Sequence, residues 1–416
     1  MKRLMRRHDV LSSGRAELVE TRRRAQGDRF KPNRALSIVQ LCWLSAACAL
    51  PAMAQTSAAT PPPSQAAGAA PQPDILAKGL AHPWGLSFID AQRLLVTERP
   101  GRLRVVTLQG QVGPVITGLP PIQAAGQGGL LDVLTDSQFT SNRTIYFCYT
   151  EPDATGKLNA TALASARLSD DERRLDTVKV LFSQKPKLSG SAHFGCRIVE
   201  SPDGKLFLTL GDRFHHMQDA QTLDNHLGKV VRLNKDGSVP ADNPLVGRAG
   251  AMPEIWSWGH RNMQGATWGP DGSFWATEHG PQGGDELNRL EPGKNYGWPV
   301  ITYGEQYGGG PIGQGIQAKA GLVQPVYQWT PSMAPSGLAF VTSTRYGSAW
   351  QGSLLVGSLK FRYLARLELR GGQVLREEKL LQYLDERIRA VRQGPDGLIY
   401  LLTDSPQGML LRLSPR

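Results

Sequence analysis

Residues 201–212 read SPDGKLFLTLGD, residues 269–280 read GPDGSFWATEHG, and residues 394–404 read GPDGLIYLLTD. The three share one form: a Pro-Asp-Gly turn, a short apolar run, then an acidic residue. HPWGLSFIDAQRLLVTER (82–99) and SAWQGSLLVGSLK (348–360) are looser copies. Asp-Gly beside such runs is a strong short-range hairpin signal. With 46 glycines and 29 prolines as punctuation, little room is left for long helices. A hairpin unit repeated through about 340 residues predicts an all-β fold, a β-propeller. At roughly 40–60 residues per blade, five to seven blades fit, and six is the expected number. Each unit ends in a charged residue, so Arg99, Asp212, Glu278 and Lys360 are expected near one end of the blades. Polar groups converging there from several blades would make a site.

The remainder of the chain qualifies this core. Of the formal charge of +11, residues 1–54 carry +7. An Arg-rich stretch ends at Arg34 and is followed by ALSIVQLCWLSAACALPAMA. Ala52-Met53-Ala54 fits a small-x-small cleavage site, so 1–54 reads as an export segment and Gln55 as the mature start. A membrane anchor is disfavoured because Pro51 interrupts the run and no stop-transfer charges follow. The expected compartment is the periplasm, with no stable membrane insertion. Residues 55–73, QTSAATPPPSQAAGAAPQP, read as a Pro/Ala-rich linker, and the folded domain as 74–416. The +4 left after residue 54 forms no basic stripe interleaved with aromatics, which argues against nucleic-acid binding. Two cysteines follow the cleavage site, Cys148 and Cys196; a disulfide and a pair of buried thiols are both compatible with them.

Several enzyme signatures are excluded. Gly308-x-Gly310-x-x-Gly313 matches a dinucleotide fingerprint by letter, but Gly321 and Pro325 break the helix that must follow. No GxSxG, HExxH or Walker loop occurs. His193, in the side-chain-poor GSAHFGCR, lies nineteen residues before Asp212, and one hairpin can pair them as a base and the acid that orients it. Arg261-Asn262 precede another hairpin, Lys360, Arg387 and Arg389 form a later basic set suited to a polyanion, and Gln127 adds an amide. Between Glu278-His279 and Asp285-Glu286 lies GPQGG. It reads either as a solvated turn or as backbone carbonyls offered to a hard cation such as calcium.

GQGGLLDV, SAHFGCR, LGKVVRLNKDG, EIWSWGHRNMQG, EHGPQGGDELN, GKNYGWP, MAPSGLAF and RIRAVRQGPDG occur in order between His82 and Leu413. Together they resemble the soluble PQQ-dependent aldose sugar dehydrogenases of the glucose/sorbosone dehydrogenase family. The resemblance implies a six-bladed propeller, pyrroloquinoline quinone (PQQ) and calcium as cofactors, and oxidation of an aldose to an aldonolactone. By the same resemblance Gly280 and Pro281 offer carbonyls to a calcium at the quinone, while Glu286 and Tyr296 hold a second, structural calcium. His193 falls where the family has its general base, Asp212 where it has the supporting acid, and Arg261 where a quinone carbonyl is polarised. Gln127, Arg261, Asn262, Tyr307, Ser332, Ala334, Lys360, Arg387 and Arg389 fall at quinone contacts. The expected partners are an aldose and an electron acceptor, a cytochrome or a quinone; no oligomeric state is indicated. Two other classes stay open: a calcium-dependent lactonase, which needs acidic ligands at the propeller axis and no basic cradle, and a non-catalytic glycan- or protein-binding propeller.

Overall fold

The computed structural model describes residues 70–415, so the export segment and most of the linker lie outside the described residues. Within them, twenty-three strands form six antiparallel sheets, each a blade. Blade one has three strands, Pro83–Phe88, Arg93–Glu98 and Arg102–Thr107. Blades two to five, spanning 130–183, 198–258, 263–329 and 335–380, have four each. Blade six joins Ile388–Gln393, Ile399–Thr403 and Gly408–Ser414 to the first strand of the chain, Gln72–Leu80. Gln72 pairs with Ser414 and Pro73 with Leu413, so the first described strand takes in two residues of the expected linker. The first strand of each blade packs beside that of the next, and blade six returns to blade one, closing a six-bladed propeller.

The quoted runs are apolar without alternation because their strands are covered on both faces. Leu206–Thr209, Phe274–Glu278, Leu354–Ser358 and Ile399–Thr403 are the second strands of their blades and are buried throughout. A strand between two neighbouring blades has no solvent face to mark with polar residues. Between blades three and four, Phe207 packs edge-on to Trp256 and Trp268 and lies 5.0 Å from Phe274. At the axis the approach is closer still. A Cβ on Gly265 would stand 2.2 Å from the Ser336 carbonyl, and one on Gly337 2.5 Å from the Val391 nitrogen. Only glycine permits those contacts.

Each Pro-Asp-Gly turn joins the first strand of its blade to the second. The residues after the second strands therefore gather at the opposite end of the barrel of blades. Cys148, on the second strand of blade two, forms a disulfide with Cys196 just before blade three, with 6.0 Å between the Cα atoms. Arg197 and Asp132 form a fully buried ion pair at 2.7 Å, with the Arg197 guanidinium 4.4 Å from the centre of the Trp84 ring.

Candidate active site

His193 lies in the connection between blades two and three, with a left-handed backbone at φ 53°. Its amide donates to Gln127 Oε1 at 2.8 Å, and its ring Nδ1–H donates to Asp212 Oδ1 at 2.6 Å. Asp212 follows the second strand of blade three and accepts two further bonds, from the Phe214 amide and from the Trp298 indole, each at 2.8 Å. A carboxylate fixed by three donors cannot rotate, so it fixes the ring and leaves Nε2 as the basic nitrogen. Burial lowers the imidazole pKa below its ordinary value; the bond to Asp212 opposes that shift and the Arg261 charge adds to it. Burial pushes the Asp212 carboxyl up, but the His193 bond and the neighbouring cations overcome this and hold it below the usual carboxylate range. The dyad is thus a neutral imidazole on an ionised carboxylate, a proton acceptor at neutral pH.

Arg261 and Asn262 directly precede the first strand of blade four, Met263–Trp268. The Arg261 amide donates to Glu278 Oε2 at 2.7 Å, and its guanidinium to the carbonyls of His279 at 3.1 Å and Gly280 at 2.8 Å. Its other arm reaches the Tyr307 hydroxyl at 3.3 Å, and the group lies 5.4 Å from the centre of the Trp298 ring. Asn262 Oδ1 accepts from the Gly195 amide and Gln264 Nε2, both at 3.1 Å. Beside it, His279 Nε2–H donates to the Pro335 carbonyl at 2.8 Å, and burial, with Arg389 and Arg261 nearby, lowers its pKa to about 3. That ring is neutral throughout the physiological range.

Gln127, Asn262, Gln264 and His279 line a cavity of about 210 Å³ at the end of the propeller axis; His193, Asp212 and Arg261 do not, although Phe194 and Gly195, next to His193 in the chain, do. Of the residues expected from the sequence, Gln127, Asn262, Ala334, Arg387 and Arg389 line it. Arg389 is 8% exposed; it donates to Gln264 Oε1 at 2.8 Å, and its Nε has no partner. Burial lowers its pKa to about 10, so it is still charged at neutral pH. Arg387 donates to Asp404 Oδ2 at 3.0 Å and to the Leu359 carbonyl at 3.1 Å. Trp84, Arg99, Gln264, His279 and Asp404 also line the cavity. Arg99 sits where its repeat unit places it, but no motif singled out Trp84 or Gln264. Position in the repeat would have found Asp404, which closes the third quoted phrase.

Four of the expected quinone contacts do not line this cavity: Arg261, whose guanidinium bonds the carbonyl of the lining residue His279, and three others. Ser332 Oγ donates to Asp285 Oδ2 at 2.8 Å, beneath the wall that Ala334 forms. Lys360 is exposed, with its ammonium 5.3 Å from the Phe361 ring centre. Tyr307 is 63% exposed and reaches the site through Arg261.

The metal candidates fall in two places. The Gly280 amide donates to Asp285 Oδ1 at 2.8 Å, and a Cβ on Gly280 would stand 2.2 and 2.3 Å from the carbonyl oxygens of Gly283 and Gly284. The loop carrying Pro281 thus turns backbone oxygens inward where a side chain would otherwise sit. Glu286 faces Glu278 across the neighbouring strand, and Asn288 Nδ2 donates to both, at 3.0 and 2.9 Å. Asn288 Oδ1 is buried without a partner. Burial, and then repulsion from Glu278, raise the Glu286 pKa well above the carboxylate range. The Tyr296 hydroxyl is turned away, donating to the Arg289 carbonyl at 2.7 Å, and its ring stacks on His260 at 4.7 Å. Only its backbone oxygen is left for a cation. Among the described residues no three His, Cys, Asp or Glu side chains gather as a metal site.

Residues 80–412 match the family model described as Glucose / Sorbosone dehydrogenase. The chain is similar to the aldose sugar dehydrogenase YliI of Escherichia coli (strain K12), 42% identical over 82% of this chain and 92% of that one. It is also similar to a crystal structure of a glucose dehydrogenase, with 46% identity, a TM-score of 0.80, and cover of 83% of this chain and all of that one. The PQQ-bound form of aldose sugar dehydrogenase from Streptomyces coelicolor matches with 26% identity and a TM-score of 0.67, over 84% of this chain and 100% of that one.

Proposed function

Since the chain belongs to the glucose/sorbosone dehydrogenase family, we propose that it oxidises aldoses at the anomeric carbon to aldonolactones, using PQQ and calcium, in the periplasm. The observation that carries this reading is the cation-rich cavity beside the His193–Asp212 dyad. Arg99, Arg387 and Arg389 face it with Asp404 as the one carboxylate, and the buried Nε of Arg389 is unpartnered. Such a donor set suits a planar ligand with several carboxylates, as PQQ is. It disfavours a lactonase, whose metal needs acidic ligands at the axis.

The residues that would hold the quinone are Arg387, Arg389, Asn262 and Gln127 in the cavity, with Arg261 at its edge; Tyr307, Ser332 and Lys360 are assigned to it by resemblance alone. When bound, the quinone supplies the acceptor for the electron pair leaving the sugar, and calcium supplies Lewis-acid polarisation beside it. The chain's own residues do the rest. His193 Nε2 takes the proton of the anomeric hydroxyl, and Asp212 steadies the imidazolium that results. Arg261 aims a fixed positive charge where negative charge develops. Gly280 O accepts one bond from Arg261 and keeps a second lone pair for calcium, with Pro281 beside it. Glu286, Glu278, the partnerless Asn288 Oδ1 and the Tyr296 backbone suit a second calcium, since a hard cation relieves buried repulsion between carboxylates. Export is supported by the Arg-rich and apolar leader and by the Cys148–Cys196 disulfide. The export segment, the linker and the propeller domain from about residue 74 are proposed as the three parts of the chain.

The test is reconstitution. Purified apoprotein given PQQ and calcium is expected to reduce a redox dye with glucose as donor, and to do neither with NAD nor without quinone. Activity that is independent of quinone would refute the reading. The second calcium is tested apart from chemistry. A ligand at a hundred times its Kd stabilises the folded state by about 2.7 kcal/mol. Calcium is therefore expected to raise the melting temperature of wild type by several degrees and that of Glu286→Gln by much less, with turnover per bound quinone largely kept. A variant that melts like wild type in calcium yet fails to bind quinone would move Glu286 to the cofactor site.

A further inference from the structure

Arg213 is a buried guanidinium that no carboxylate meets within salt-bridge distance among the described residues. Instead it lies 4.2 Å from the centre of the Phe194 ring and donates to four neutral oxygens. Two belong to Asn159 of blade two: its carbonyl at 2.9 Å and its side-chain Oδ1 at 2.6 Å. The other two are carbonyls of the segment that delivers the catalytic histidine, Gly190 at 3.1 Å and Ala192 at 3.2 Å. Ala192 directly precedes His193.

Residues 189–192 are Ser-Gly-Ser-Ala, with too little side chain to pack themselves in place, and the next residue carries a left-handed backbone that a non-glycine residue adopts only under constraint. On the far side, a Cβ on Gly211 would stand 2.1 Å from the His193 carbonyl, so the histidine backbone is pressed against the strand end that leads to Asp212. Arg213 is the clamp on the near side. We propose that Arg213 is a positioning residue for the oxidation, bracing the 190–192 carbonyls against Asn159 so that His193 meets both Asp212 and the substrate. A planar five-donor fork suits this task, because it spans carbonyls on two segments at once. Its charge has a second effect. The groups facing the His193 ring are Asp212, which favours protonation, and Arg261, Arg213 and His279; the two arginines disfavour it and His279 is neutral.

This rests on the reading of His193 as the base, so the test follows the ring itself as well as the reaction. Arg213→Lys keeps the charge but loses the fork, Arg213→Gln loses both, and Asn159→Ala removes one anchor while leaving Arg213 intact. Quinone affinity is expected to stay within about twofold in all three, since none of these residues lines the cavity. Turnover per bound quinone is expected to fall about tenfold or more in Arg213→Lys and Arg213→Gln, and less in Asn159→Ala, because small misplacements of a reacting group are costly. The NMR titration of His193, assigned with His193→Asn, is expected to move upward in the Gln variant and much less in the Lys variant. Should the Gln variant not fold, the Lys and Asn159 variants carry the measurement. Turnover and His193 titration both at the wild-type level in folded Lys and Asn159 variants, or a loss matched by quinone affinity, would overturn the proposal. A disturbed His193 titration with intact turnover would instead remove His193 as the base and leave its clamp in place.

Discussion

His193→Ala is expected to bind quinone and calcium nearly as wild type does and to lose at least about a hundredfold in turnover, the lower end of what a positioned general base contributes. The separation follows from the geometry. The ring is held by Asp212, while the groups assigned to the quinone come from other blades, chiefly Arg387 and Arg389 of blade six. Wild-type activity should fall on the acid side as the imidazole takes a proton. Because burial lowers the folded-state pKa, the midpoint of that limb is expected below the ordinary histidine value near 6.5. In the Ala variant the limb should vanish. Asp212→Asn should show a smaller loss and a limb moved further toward acid, since the imidazolium then lacks its counter-charge. A merely structural histidine predicts the reverse: a lower melting temperature with reduction of bound quinone intact. Stopped-flow reduction of the bound quinone by sugar, read beside a melting curve, distinguishes the two.

Arg389→Ala is expected to weaken quinone binding by roughly 10- to 150-fold, the equivalent of about 1.5–3 kcal/mol for a hydrogen bond to a charged group. The residue is buried, faces the cavity, and carries the unpartnered Nε. Removing it also leaves Gln264 Oε1 without its donor and Asp404 with less positive charge nearby. Lys360→Ala is expected to cost far less, because its ammonium is exposed and turned over Phe361. Equilibrium titration of the two apoproteins with quinone measures both. Equal losses would mean that Lys360 swings into the site when the ligand arrives, and no loss in Arg389→Ala would place the carboxylates elsewhere.

The six blades were legible from the repeat, which admits five to seven, together with the family resemblance, and the end of the barrel where polar groups gather follows from the repeat itself. A Pro-Asp-Gly turn sets the length of the first hairpin, and whatever follows the second strand must lie at the opposite end. Arg99, Asp212, Glu278 and Asp404 obey that rule. Lys360 obeys it in sequence, but its side chain is long enough to leave the mouth. Trp84 and Gln264 were not legible: they sit on first strands, among ordinary core positions, and matter only because closing the ring turns them toward one axis. Arg213 was hidden for a related reason, since its partners come from segments about 20 and 54 positions away in the chain. Tyr296 shows the opposite case. Its motif was plain, yet its hydroxyl is committed to the Arg289 carbonyl, so the motif alone overstated what the side chain offers.

The strand Gln72–Leu80 completes a blade whose other strands end at Ser414, and its Asp74 meets Arg412 at 3.1 Å across 338 positions of chain. That blade also supplies Arg387, Arg389 and Asp404 to the cavity. The wall assigned to the quinone's carboxylates is therefore the same body that latches the two ends of the chain. Pairing at such separation is slow to find and is the last contact that chain entropy rewards. A ligand that grips the finished wall and not the open chain shifts that balance toward the latched form. A quinone bound there would serve as a fastener for the ring as well as a reagent within it, and loading with quinone should protect the Gln72–Leu80 amides from hydrogen exchange although none of them touches the cavity.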